Sequence, residues 1–212
     1  MKHHYVVAFT QGSSGRFISN VLWRMINNLN EEVLFTEVNS AHVESPWEKS
    51  WEYSTNYGDP NIPDVYVGLK FHNDIGLLAT HTFPNYEEFK TNLLNIKLII
   101  ISINEPDLRE IAYNVATKNK QDIRYWSDVR GWLYQIHLQK IDEPSYNYHN
   151  TTIPVELSNR ILLINYNEIY KPIGESFVAL EKLKAFTNTD IGSVVFESYK
   201  KYVYNRNIKW NQ

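Results

Sequence analysis

The stretch YVVAFTQGSSGRFISNVLWRMINNL, residues 5–29, decides how this chain is read. An apolar run over 5–9 leads into the polar turn Thr10-Gln11-Gly12-Ser13-Ser14-Gly15, and Arg16 then opens an amphipathic helix. A strand passing through a glycine-bearing turn into a helix is the geometry of a phosphate cradle. Amides in such a turn and in the first helical turn lack intrahelical acceptors, and the helix dipole adds positive potential at the same place. Two readings are open on these residues alone. One is a nucleotide-type anion held by Gly12, Ser13, Ser14, Gly15, Arg16 and Phe17; the other is a structural turn that binds nothing.

The ATP-binding pattern G-x-x-x-x-G-K-[ST] is not met. Thr10 stands where its first glycine belongs, Arg16 takes the lysine place, and Phe17 replaces the magnesium-binding hydroxyl. Arg16 supplies a cation able to fold over a bound anion. A phenylalanine cannot ligate magnesium, which argues against an ordinary ATPase or kinase.

The rest of the chain extends the same theme. Strands are expected over 64–71, 97–103 and 160–165, a strand or extended edge over 33–38, and a further extended segment over 76–80. The run KLIIISI at 97–103 is unbroken and apolar, as in a central parallel strand buried on both faces. Helices are expected over 86–94, with Asn85 as N-cap, and over 107–118, 123–140, 177–186 and 194–204. Residues 142–154 read as a polar connection. Residues 40–63, rich in Ser, Glu, Asn, Pro and Trp, read as a long excursion of the kind that forms functional lids, with one short helix around 46–53. Strands alternating with helices over the whole length imply one α/β domain, residues 1–212, built on a parallel sheet. Ligands of such sheets sit at the carboxyl ends of the strands, so the residues after each strand are the informative ones.

Bulk properties narrow the function. A hydrophobic content of 43% with 14% aromatics supports a real core in 212 residues. The formal net charge of −3 gives no sign of general nucleic-acid binding. The absence of cysteine removes disulfides, thiolate catalysis and cysteine–zinc sites. No apolar run approaches the ~20 residues of a membrane span, and the chain enters its first strand without a signal-peptide pattern. The expectation is a soluble, cytoplasmic protein without a metal site. His3 and His4 read as a solvated chain end, and Asn150-Thr151-Thr152 as an accidental sequon.

Three segments, in this order, resemble the P-loop sulfotransferases that use PAPS (3′-phosphoadenosine 5′-phosphosulfate). The opening strand, turn and helix with Ser14-Gly15 is similar to the family's P-[KR]-[ST]-G-T-[TS] loop. LLATHTFP at 77–84, followed by KLIIISINEPDLREIAYN at 97–114, resembles its K-T-H-x-P segment, helix, buried strand and R-[ND]-P-x-[DE]-x-x-x-S. ILLINYNEIYKPIGESFVALEKLKAF at 161–186 resembles its strand, Y-E-D-L and helix leading to a phenylalanine. Together they cover most of the chain and imply a three-layer P-loop-type fold, a central parallel sheet flanked by helices.

The resemblance makes His81 the base for an acceptor hydroxyl, a role that suits an imidazole titrating near neutrality. The alternative for His81 is a strand-end histidine satisfied by backbone bonds. The family's loop cation falls at Ser13, its lysine at Ala79, and its 3′-phosphate ligands at Asn104 and Ala112. Arg16 and Arg109 are the cations able to replace what is missing, though Arg109 also reads as a solvated helix-surface residue. Tyr166 and Glu168 read as structural ties at a strand end, and Trp126 and Trp132 as core. Three functions follow: a sulfotransferase acting on a small-molecule or glycan acceptor with PAPS or its product PAP at 12–17; a catalytically decayed phosphate- or nucleotide-binding module on the same fold; and a small-molecule kinase using ATP, the weakest because Phe17 replaces the magnesium hydroxyl.

Overall fold

A computed structural model describes residues 3–9, 14–34, 45–53, 69–72, 75–80, 89–90, 94–102, 153 and 155–210, the last five by backbone only. Four parallel strands form the sheet: β1 (His4–Phe9), β4 (Leu77–Thr80), β5 (Ile96–Ser102) and β6 (Ile161–Asn165), in the order β4-β1-β5-β6. Register is set by pairs such as Val7↔Ala79, Val7↔Ile99 and Ile100↔Leu163. This is a mixed α/β fold around a central parallel sheet. The unbroken apolar runs of β1 and β5 are explained by burial on both faces.

Alternate residues feed two cores. Tyr5, Val7, Phe9, Ile99 and Ile101 pack with three helices, α1 (Gly15–Ile26), α2 (Val178–Thr187) and α3 (Ser193–Trp210). Val6, Ala8, Leu98 and Ile100 face the other way, against Phe89 and Leu157. One face therefore carries a helical layer; the helices expected at 107–118 and 123–140 lie outside the described residues. Among the described residues, no helix is long and apolar enough to cross a membrane.

Several boundaries follow the expectations closely. The helix expected to open at Arg16 begins at Gly15, and that expected at 177–186 runs over Val178–Thr187, closed by Asn188 in the left-handed conformation with its N–H on Lys184 O. Three expectations need correction. The short helix expected around 46–53 is confined to a 3-10 helix, Glu48–Ser50, which gives way to strand β2 (Trp51–Tyr53), paired antiparallel with β3 (Leu69–Phe71). The alternating Trp-Glu-Tyr favours the ladder, and the Ser50 hydroxyl ends the turn by bonding Trp47 O at 2.6 Å. The same oxygen receives the Leu77 N–H at 3.1 Å, docking the excursion on β4. Residues 33–34, expected to open a strand or extended edge, join no strand among the described residues. Val33 is buried and its N–H donates to Ser198 Oγ of α3 at 3.1 Å, so the chain rests on a helix there; the remainder, 35–38, lies outside the described residues.

The third correction concerns the first histidines. His4 belongs to β1, its N–H bonded to Asn95 O. Its Nδ1 accepts the Gly76 N–H at 3.0 Å, and its ring stacks on Phe71 with centroids 4.2 Å apart. Gly76 has to be a glycine for this, because a Cβ would lie 2.1 Å from the Phe71 ring. Burial, followed by the neighbouring His3, holds the His4 pKa below its ordinary value. The sign of the consequence is fixed: an unfolded His4 takes up a proton near pH 6.5, while the folded one resists it. Stability is retained above that pH and falls as pH drops through the folded pKa. Urea unfolding at about pH 7.5 and about pH 5.5 should show this loss, and His4→Asn, which keeps an acceptor near Gly76, should show a shallower one.

Candidate functional site

Because the four strands are parallel, Phe9, Thr80, Ser102 and Asn165 end at one edge. The chain places β4 on one side of β1 and β5 on the other. The strand order thus reverses at β1, the kind of crevice where open α/β sheets bind ligands. Helix α1 starts at this edge, and Gly15 sets how close it comes: a Cβ there would lie 1.9 Å from Phe9 Cγ. Only a glycine allows the helix start to sit on the β1 ring.

Ser14 precedes the helix with φ 62° and ψ 17°, the left-handed region, and makes no side-chain cap. Its hydroxyl points inward instead. Tyr202 Oη donates to Ser14 Oγ at 2.6 Å, and the Tyr170 hydroxyl shares a second bond at 2.7 Å. Left-handed geometry costs a non-glycine residue about 1 kcal/mol, and a buried neutral hydrogen bond contributes about 1 kcal/mol. Two such bonds are enough to hold the serine there.

Arg16 is partly exposed and donates from Nη1 to Ser45 Oγ at 3.3 Å. This joins the helix start to the excursion. Phe17 turns the other way: it is 1% exposed, stacked on Tyr202 with centroids 3.6 Å apart and tilted against Tyr199 at 5.3 Å. The position that holds a hydroxyl in ATP-binding loops is here a core aromatic.

Ser14, Gly15, Arg16 and Phe17 are therefore brought together at the start of α1. The other predicted site residues, Gly12, Ser13, His81, Asn104 and Arg109, lie outside the described residues, as do Ala112, Trp126 and Trp132. His81 is the next residue in sequence after the end of β4. At the end of β6, the Glu168 carboxylate accepts the Asn165 N–H at 2.9 Å and bonds Lys182 Nζ of α2 at 2.6 Å. Tyr166 is buried beside them, so this corner is a structural tie. Sequence reasoning missed Tyr170 and Tyr202. Tyr199 and Tyr202, three apart on α3, carried the available signal, an aromatic face one helical turn long.

No family model matches the chain, and no curated protein matches it.

Proposed function

We propose that this protein binds a sulfate or phosphate ester at the start of α1 and acts as a PAPS-dependent sulfotransferase. The observation that supports this most is the pairing of left-handed Ser14 with right-handed Gly15 at the strand-order reversal. A left-handed residue beside a right-handed one turns successive amides toward one point, a concavity suited to an anion. The uncapped first turn of α1 adds its dipole.

The residues present fit part of the cofactor. The Ser14 hydroxyl is committed to its tyrosines, so the turn offers main-chain amides. A guanidinium has five donors, and one bond to Ser45 does not exhaust Arg16. PAPS supplies an activated sulfuryl group. Arg16 and the turn balance the charge that gathers on the leaving phosphate. His81 would take the acceptor's proton as the acceptor oxygen or nitrogen bonds the sulfur, with PAP as the leaving group that keeps the electron pair of the broken sulfur–oxygen bond. Asn104, with Arg109 as the available cation, would meet the 3′-phosphate.

Calorimetry with PAP tests the reading. The expected affinity is micromolar or tighter. No heat and no thermal shift at about millimolar PAP would rule it out.

A second reading, a decayed module that binds the ester without turning it over, is favoured by one observation: the described cation, Arg16, is bonded to the excursion. Uncharged Ser13 and Asn104 agree with it. In that case Ser13→Lys or Asn104→Arg raises PAP affinity; unchanged affinity counts against it.

A further inference from the structure

We infer that Tyr170 and Tyr202 are positioning residues for the anion turn, acting through the Ser14 hydroxyl; this rests on the ester-binding reading above. Three features carry it. A glycine would adopt the Ser14 conformation with less strain, so a serine held there with both tyrosine hydroxyls on its oxygen points to a use for the side chain. The two tyrosines come from different places, Tyr170 from the segment after β6 and Tyr202 from α3. Those places are themselves joined, because buried Tyr199 of α3 donates its hydroxyl to Ile169 O at 2.9 Å. Both hydroxyls therefore reach the turn from one rigid support.

The rings are held apart from their hydroxyls. Phe17 stacks on Tyr202, and Tyr166 packs edge-on to Tyr170 with centroids 5.2 Å apart. Replacing either tyrosine by phenylalanine thus removes the oxygen and keeps the packing. Without the two bonds Ser14 is freed to relax out of the left-handed region, and the amides of Ser14 and Gly15 no longer converge. The tyrosines touch no ligand in this account; they set the direction of main-chain donors.

The test compares wild type, Tyr170→Phe, Tyr202→Phe and the double variant by PAP calorimetry, thermal melting and amide exchange over residues 14–20. Each single variant should weaken PAP binding by about fivefold, with melting lowered by no more than about 4 °C. The double variant should lose more, and exchange at the helix start should quicken. In a Ser14→Gly background, Tyr202→Phe should change PAP affinity no further, since the hydroxyl it acts through is gone. Wild type that binds PAP beside a double variant of equal affinity overturns the inference, and so does lowered melting with unchanged affinity. Wild type that does not bind PAP at all overturns the ester-binding reading itself, a separate result.

Discussion

Gly15→Ala should destabilise the protein by about 3 kcal/mol, at the upper end of what overpacking a close contact costs. The added methyl would fall 1.9 Å from Cγ of Phe9. That atom is the root of the ring, so rotation about χ2 does not clear it. Phe9 is 4% exposed and sits in β1 opposite Ile101, so the ring has nowhere to retreat. The helix start must lift from the strand instead. A melting point lower by roughly 10 °C is expected for a chain of this size. The cause is separable from helix propensity, because alanine is the better helix former. Phe9→Ala, which removes the Cγ, should offset part of the loss in the same chain, giving a coupling of about 1 kcal/mol in a double-mutant cycle. Additive effects would mean that the two residues do not constrain each other.

Phe17→Thr should cost about 4 kcal/mol. This substitution writes a magnesium-binding hydroxyl into the loop and asks whether the chain is a lapsed ATP-binding protein. Phe17 is 1% exposed between Tyr199 and Tyr202, so threonine leaves a cavity against both rings. Tyr199 is itself fully buried, and burial raises its hydroxyl pKa well above the ordinary value. The space that opens is therefore apolar and poorly suited to a hydrated cation. Denaturant unfolding should show the loss, and magnesium with ATP should give no thermal shift. A magnesium-dependent stabilisation would revive the kinase reading.

The sheet was legible because its signals are local. Apolar runs such as YVVAF and LIIIS are short and carry β-branched residues, the signature of strands buried on both faces, and the helix after the first carries its own periodicity. What escaped notice depends on partners far along the chain. His4 resembled a solvated end because the stack with Phe71 and the bond from Gly76 come from more than sixty residues away. Residues 46–53 suggested a helix because nothing nearby announces the pairing of Trp51 with Phe71. At the candidate site, glycine at 15 was expected from turn chemistry, whereas the reason for it is the Phe9 ring beneath. Ser14 was expected only as a member of the anion turn, and its hydroxyl is taken by two tyrosines that no local pattern links to it.

The bond between Tyr202 and Ser14 also has a history in time. The two residues are 188 positions apart. At ordinary translation speeds, roughly 10 to 40 s separate their synthesis. Throughout that interval a nascent chain carries its opening strand and turn without the support that completes them. Closing so wide a loop costs chain entropy that contacts with the late-made segment must offset. The turn therefore cannot gain its Tyr202 bond until α3 has been made, and until then the opening strand and helix stand without it.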